Sequence, residues 1–495
     1  VNVRDWTRPR VGARLALGLL LAAGASACGA DRAAAAASAD PLPWRVGGRM
    51  GVTVDAAAFP DSAGTTLDVY LRVPPGTLAM LGRDSLGRGR LRVEASLRGA
   101  YGGTPAREQV QEFGIEPADS ARGMGRVVGL RFPVRAGLHR LSLRVDDLLS
   151  RKLGLVYAGR RVTESAKLEG EVRVLAAEAG RELSDPEFVW AARAGGRSTV
   201  FERGGFTVLP NPERLFGLFA PEMRAAFTAR GPAEQPWRWQ ARVLDATGRV
   251  VAARESTGAA ARELRGLVAV DVSTEPAGGY DLELKVWQEG DAAPLVRRAR
   301  FSVAWRVESW LRNPRDVEDE AHFLFEADDE ETFAALSPGE QERRLDDFWR
   351  ERDPSPGTGA NEARQTFLRR VERANQLYTR PGLGKGMFSD MGRVYIRYGE
   401  PSEVVHQVIP TGGETVEELL AELAANERRA VGGNVQLVGP GADPRPFELW
   451  IYDGPTLPPP YADPEVAQRE RRGRILFLFV DQLSTGDYRL RYTTE

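Results

Sequence analysis

The sequence predicts a mainly β chain over its N-terminal two thirds, built as two immunoglobulin-like β-sandwiches, followed by an α+β domain with a small antiparallel sheet and packed helices. Three observations predict this. Short stretches between residues 66 and 304 alternate apolar and polar side chains and are punctuated by Gly and Pro. After Trp310 the apolar spacing changes to three and four residues. From Phe447 onward short apolar runs return. A chain of 495 residues exceeds a single core and suits about three domains of ordinary size. Its 42% hydrophobic and 27% charged residues are those of a globular protein, and a net charge of -2 gives no basis for nucleic-acid binding.

The first 27 residues stand apart from the fold. Arg4, Arg8, Arg10 and Arg14 make a basic start, and Leu15 to Ala23 is an apolar run far shorter than the ~20 residues a spanning helix needs. The small residues Ala25-Ser26-Ala27 follow, completing the pattern of an export signal over 1–27. Cys28, the only cysteine, comes next. Cleavage there leaves either an idle thiol or an acylated first residue. The second is preferred, because Ala25-Ser26-Ala27-Cys28 resembles a bacterial lipobox with Ala at the position usually held by Leu. Each acyl chain would contribute roughly 0.8 kcal/mol per buried methylene, so Cys28 is the expected lipidation site and the membrane the first expected partner. The Ala-rich stretch 28–43 reads as a tether. With its one cysteine used in this way the chain has no disulfide. Gly29 carries no inner-membrane retention signal, so the expected address is the periplasmic face of the outer membrane, with a soluble periplasmic protein as the alternative.

The first sandwich is expected over 44–178. Thr66 to Val73, Leu91 to Leu97 and Leu138 to Val145 alternate, which means strands with one buried face, and Glu169 to Leu175 closes the series. The second is expected over 183–307, smaller than the first, with strands at Trp237 to Leu244, Gly266 to Val272, Gly279 to Trp287 and Arg298 to Ala304, and a turn at Asp245-Ala246-Thr247-Gly248.

The α+β domain is expected over 310–495. Ser337-Pro338-Gly339-Glu340 is a capping box with Pro at the first helical position. Asp353-Pro354 ends that helix, since a residue before Pro avoids helical angles. Asn361 can cap the next, which carries Phe367, Val371, Ala374 and Tyr378 on one face. Val394 to Pro401 reads as a strand, Thr415 to Ala430 as a helix, and Phe447 to Tyr452 as a strand. Ile475 to Val480 is an unbroken apolar run suited to a strand buried on both faces, and Tyr488 to Tyr492 is a short last strand.

These residues carry a resemblance. Phe348-Trp349-Arg350-Glu351-Arg352-Asp353-Pro354, Pro356, Thr358, Asn361-Glu362, Arg370-Val371, Ala374-Asn375 and Gly392 to Pro401 are similar to the GWxTD-domain proteins of bacterial cell envelopes, a family of undetermined biochemical activity. Leu183 to Phe188 and Leu209-Pro210-Asn211-Pro212 match the β-region those proteins usually carry, so about two thirds of the chain is covered. The naming motif stands here as Gly386-Met387-Phe388-Ser389-Asp390, with Gly and Asp kept and Trp and Thr replaced. The resemblance implies a fold and an address, not a reaction.

No reaction template emerges from the residues themselves. His139, His322 and His406 are far apart in sequence and no HExxH spacing exists, so no metal site is expected, and no cofactor loop. Asp328-Asp329 and Glu330-Glu331 lack EF-hand spacing and read as a solvated helix start. Gly382-Leu383-Gly384-Lys385-Gly386 fails as a phosphate loop, because no Ser or Thr follows Lys385 and a helix precedes it. Neither a nucleophile elbow nor an available Cys nucleophile is present, so no catalytic residue is assigned. What remains is a polar set: Arg352, Asp353, Asn361, Glu362, Arg370, Asn375, Asp390 and Arg393. It is either a packing network or a groove for a polar ligand or a partner's loop. The preferred reading is a non-enzymatic, lipid-anchored envelope protein that binds another envelope protein. The alternative is an envelope-polymer hydrolase using two of Asp353, Glu362 and Asp390 as acid and base, which requires carboxylates roughly 5–10 Å apart.

Overall fold

The computed structural model describes residues 42–46, 50–61, 64–100, 106–117, 119, 124–150, 164–195, 201–203, 206–311, 314–380, 384–407, 445–453, 459–462, 473–481 and 486–494. The expected signal segment, Cys28, most of the tether and the helix expected at Thr415 to Ala430 lie outside the described residues. The folded chain divides into two compact units, one ending at Asp347 and the other starting at Phe348.

The first unit opens with two four-stranded antiparallel sheets. In one, β1 (Trp44–Val46), β2 (Val52–Asp61) and β3 (Gly64–Val73) pair in sequence, and β3 pairs on its far side with β6 (Arg126–Val134). In the other, β4 (Gly89–Gly99) lies between β5 (Arg107–Ile115) and β7 (Gly137–Asp147), with β8 (Glu164–Val174) beyond β7. Leu67, Val69, Leu71 and Val73 share one core with Leu91, Val93, Leu141, Leu143 and Val145, so the sheets form a β-sandwich. Helix α1 (Pro75–Met80) begins with Pro in its first turn and adds Leu78 to that core.

One expectation fails here. The alternate residues of β3, Asp68, Tyr70 and Arg72, are only 0%, 2% and 1% exposed, so this strand is buried on both faces. The polar face does not meet water, because it packs against the next block of strands.

That block contains β9 (Glu182–Leu183), β10 (Glu187–Ala194), β11 (Glu202–Arg203), β12 (Phe206–Pro210), β13 (Leu215–Gly217), β14 (Glu222–Leu244), β15 (Val250–Asp271), β16 (Gly278–Gln288) and β17 (Leu295–Ala304). All nine belong to one hydrogen-bonded sheet in which β14 pairs with β10 through its first half and β16 through its second, while β15 runs along its other side. The sheet curls over itself. Phe188 of β10 and Phe301 of β17 stand three strands apart, about 14 Å in a flat sheet, yet their rings are 5.8 Å apart. Register shifts between Arg230 and Gln235 mark where β14 bends. The β14–β15 hairpin is longer than the sequence predicts, because its middle residues are exposed and carry no apolar alternation. Its turn falls where expected: Asp245 Oδ1 accepts the N–H groups of Thr247 at 2.9 Å and Arg249 at 3.1 Å, and Gly248 takes φ +81°.

Reciprocal ion pairs join the two blocks. Arg72 of β3 pairs with Glu213 and donates to the carbonyls of Met124 at 2.8 Å and Trp310 at 3.2 Å. In the other direction, Arg214 forms a bidentate pair with Asp55 at 2.8 and 2.6 Å, and Arg203 reaches both Asp68 at 2.6 Å and Glu187 at 2.7 Å. Arg203 also lies over the Phe59 ring, 4.3 Å from its centroid. Burial raises the Glu187 carboxyl above its ordinary range, and the Arg203 charge opposes that shift. Asp185 Oδ2 accepts the Ala58 N–H at 3.0 Å, and the Asp185 N–H returns to the Ala58 carbonyl at 3.1 Å. The segments Leu183 to Phe188 and Leu209 to Pro212 therefore lie in or beside a joint between β modules.

Helices α2 (Val307–Leu311), α3 (Pro314–Leu324), α4 (Ala327–Ala335) and α5 (Pro338–Glu351) follow. Half of the predicted capping box forms, with the Ser337 N–H donating to Glu340 Oε2 at 2.9 Å. The Ser337 hydroxyl instead meets that of Ser302 on β17 at 2.9 Å. A Cβ on Gly339 would lie 2.2 Å from the Val303 carbonyl, so only Gly lets α5 approach the sheet this closely. Glu342 accepts the N–H groups of Trp305 and Arg306.

The second unit holds the end of α5, α6 (Glu362–Tyr378), a 3-10 turn (Gly386–Phe388), α7 (Asp390–Tyr398) and the antiparallel strands β18 (Glu403–Gln407), β19 (Phe447–Tyr452), β20 (Ile475–Asp481) and β21 (Tyr488–Thr493) in sequential order. As predicted, β20 is buried on both faces, Phe477 and Phe479 joining one apolar cluster and Leu478 and Val480 another. The predicted strand Val394 to Pro401 is instead helical as far as Tyr398. Met391, Val394, Tyr395 and Tyr398 recur at helical spacing and pack on Trp450, Tyr452 and Phe477. Ser389 caps the start, its Oγ accepting the Gly392 N–H at 3.0 Å, and Gly399 at φ +85° ends it.

Candidate functional site

The polar set falls into two groups in the second unit. The first lies on the α5–α6 connection. Arg352 stacks over Phe348, 3.8 Å from its centroid, and donates to the carbonyls of Phe348 at 3.0 Å and Tyr461 at 3.1 Å. Asp353 Oδ1 accepts the Ser355 N–H at 2.9 Å, an Asx turn that reverses the chain after α5. Asn361 caps α6, accepting the Arg364 N–H at 2.8 Å and donating to the Trp349 carbonyl. Glu362 accepts from the Thr358 hydroxyl at 3.1 Å. Two buried polar atoms here, Trp349 Nε1 and Glu362 Oε2, have no hydrogen-bond partner among the described residues.

The second group builds the corner between α6 and α7. Arg370 donates from Nη1 to the carbonyls of Ile396 at 3.0 Å and Arg397 at 2.9 Å, satisfying last-turn carbonyls of α7 from outside the helix. Burial lowers its pKa from the ordinary arginine value. Asn375 Oδ1 accepts the Met387 N–H at 2.9 Å, and Thr379 Oγ1 accepts the Gly386 N–H at 2.8 Å. A Cβ at Gly386 would lie 2.2 Å from the Ala374 carbonyl, so this glycine permits the contact of the corner with α6. Asp390 Oδ2 accepts the Leu490 N–H at 2.8 Å. Arg393 lies on α7, half-buried. Within Gly386 to Asp390, Met387 at the Trp position is buried, and Ser389 at the Thr position caps the helix through its hydroxyl. Asp353, Glu362 and Asp390 thus each have a different partner: Ser355, Thr358 and Leu490.

Beside this corner lies a small cavity of about 50 Å³. Tyr378, Arg380, Lys385, Phe388, Tyr488 and Arg489 contribute to its wall, with Ser389 and Met391 from the start of α7 and Asp487 from the turn before β21. Burial raises the Tyr378 hydroxyl pKa well above its ordinary value, with Tyr395 and Glu448 adding to it, and burial likewise raises that of Tyr488. The sequence reading passed over this cavity because its cations come from three separate places in the chain, none forming a run. The only signal was Lys385 inside the Gly-rich bend already set aside as a phosphate loop.

The histidines are scattered. His139 bonds the Arg135 carbonyl, His322 pairs with Glu330 and His406 with Glu448. Among the described residues no group of three or more His, Cys, Asp or Glu is placed to hold a metal ion, and no helix is long and apolar enough to cross a membrane.

Comparison with known proteins supports the family and little else. No curated protein matches the chain. Among solved structures, a Parabacteroides merdae beta-glucuronidase aligns at 11% identity and a TM-score of 0.18, covering 48% of this chain and 28% of the enzyme. The Bifidobacterium dentium beta-glucuronidase complexed with coumarin-3-O-glucuronide aligns at 12% identity and a TM-score of 0.18, covering 50% of this chain and 39% of that one. The chain therefore spans well under two thirds of either enzyme, and scores this low carry no statement about its chemistry. Residues 311–409 match the model of the GWxTD domain, which contains α5 to α7, the corner motif and every member of the polar set. Over residues 311–409 the chain therefore carries a GWxTD domain.

Proposed function

We propose that the chain is an exported, lipid-anchored protein of the cell envelope that works by binding another envelope protein, not by turnover. Export and anchoring rest on the basic start, the apolar run and Cys28. The binding role is supported chiefly by one observation: Arg352, Asp353, Asn361, Arg370, Asn375 and Asp390 all hold main-chain groups in place. Residues spent in this way make a rigid surface, not an acid and base awaiting substrate. In cells, a fatty-acid probe should label the protein and fail to label a Cys28→Ser variant, and crosslinking should recover one defined envelope partner. An unlabelled mature protein would end the anchoring half, and recovery of random neighbours alone would end the binding half.

A second reading has its own observation. Glu362 Oε2 is buried without a hydrogen-bond partner among the described residues, which leaves that oxygen available for acid–base chemistry on an envelope polymer. Hydrolysis of such a polymer by the purified chain, abolished in Glu362→Gln, would favour it; hydrolysis unaffected by that change would exclude Glu362.

A further inference from the structure

The cavity beside the corner motif has a composition that the interaction reading does not use. Three of its wall residues are cationic, Arg380, Lys385 and Arg489, against one carboxylate, Asp487, which pairs with Arg489 at 2.8 Å. Arg380 donates from Nη1 to the carbonyls of Leu377 and Thr379 and has no carboxylate partner among the described residues. Three nearby acids outside the wall are engaged elsewhere: Asp390 at the start of α7 accepts the Leu490 N–H at 2.8 Å, Asp481 accepts the Gly486 N–H at 2.7 Å, and Glu448 pairs with His406 and Trp450. The start of α7 adds the positive end of a helix dipole from the same side. The Tyr378, Phe388 and Tyr488 rings supply apolar walls that strengthen charge–charge attraction by excluding water.

Size narrows the ligand. A water needs about 10–15 Å³ of such space, so about 50 Å³ admits a carboxylate or phosphate head and excludes a sugar ring or a nucleoside. We propose that this cavity binds a single oxyanion group, through the Arg380 guanidinium and the Lys385 ammonium, with the rest of the ligand lying outside. Such a group is supplied either by the free carboxylate at the end of a partner's chain or by a phosphate. The proposal deepens the interaction reading by naming what the partner presents, but oxyanion binding does not depend on the lipid anchor.

Isothermal titration of the purified chain tests it with three probes: inorganic phosphate, a short peptide with a free C-terminal carboxylate, and the same peptide amidated. Phosphate or the free-acid peptide should bind in the millimolar range or tighter. That affinity should fall about tenfold or more in the double variant Arg380→Gln with Lys385→Gln, and remain unchanged in Arg254→Gln on the exposed edge of β15. A free-acid peptide binding more tightly than its amide points to a chain terminus; phosphate binding alone points to a phosphate ligand. If the double variant does not fold, as judged by circular dichroism, Lys385→Gln alone is read in its place. Equal affinity in wild type and variant would mean a surface ion only, and no heat from any probe would overturn the proposal. Either failure would leave fatty-acid labelling and crosslinking to be judged independently.

Discussion

Asp390 and Leu490 are 100 residues apart in sequence, yet the Asp390 carboxylate accepts the Leu490 N–H at 2.8 Å and fixes the first turn of α7 to the last strand. A hydrogen bond to a charged group contributes about 1.5–3 kcal/mol, and a carboxylate at a helix start adds about 0.3–1 kcal/mol. Asp390→Ala should therefore lower stability by about 2 kcal/mol in urea denaturation, while Asp390→Asn, which keeps an acceptor, should lose about half as much. Equal losses for both would mean that charge, not acceptance, is what the site needs.

Arg370 makes a comparable contribution at the other end of the same helix. Removing it leaves the carbonyls of Ile396 and Arg397 without that donor in a half-buried place. Arg370→Ala should cost about 1–3 kcal/mol, with Arg370→Lys intermediate because an ammonium can donate to two carbonyls but has a shorter reach than Nη1. Amide exchange at the C-terminal turn of α7 should accelerate in the Ala variant; unchanged protection there would show the contact to be dispensable.

The joint between the β blocks should be the costliest place to break. Arg203 is bonded to Asp68 and Glu187, and both carboxylates are almost fully buried. Asp68 would keep its bidentate pair with Arg131 at 2.7 Å, but Glu187 would stay buried without its cation, a loss that typically costs about 3–5 kcal/mol. Arg203→Ala should show a loss of that size by chemical denaturation, whereas an exposed pair such as Arg140 with Glu169 should change stability by less than about 1 kcal/mol.

One pH dependence follows from the β14–β15 turn. The Thr247 hydroxyl, then the Arg249 and Thr247 N–H groups, hold the Asp245 carboxyl down at about 2 from an ordinary 3.8. A depressed carboxyl favours folding above its unfolded value, and that contribution disappears as pH falls from about 4 through about 2. The Asp245 carboxyl carbon should titrate near 2 by NMR, and Thr247→Val should move the midpoint upward. A wild-type midpoint near 4 would contradict the hydrogen-bonded turn.

The sequence made some of this legible for identifiable reasons. The alternating strands, the Asn361 cap, the Asp353-Pro354 stop and the doubly buried β20 all depend on local chemistry, and each stands where the residues predict. Val394 to Tyr398 misled because β-branched and aromatic residues favour strands, whereas the decisive cues lay outside it, in the Ser389 cap, the Gly399 stop and the 391–394–395–398 spacing. Asp68 and Arg72 misled for the opposite reason. An alternating polar face reads as wet, and the partners that keep it dry include Arg203 and Glu213, more than a hundred residues away. The cavity escaped notice because Arg380, Lys385 and Arg489 meet only once α6, the bend and β21 have folded.

The exchange of arginines across the joint has a practical consequence. Each β block lends cations to the other's acids, so cutting the chain between Val174 and Glu182 would strand Asp55, Asp68 and Arg72 on one fragment and Arg203, Glu213 and Arg214 on the other. Neither fragment would be an autonomous module. Because Trp310 also belongs to the second block's core and the unit ends only at Asp347, expression boundaries, domain swaps and insertions for this protein should keep residues 42–347 together.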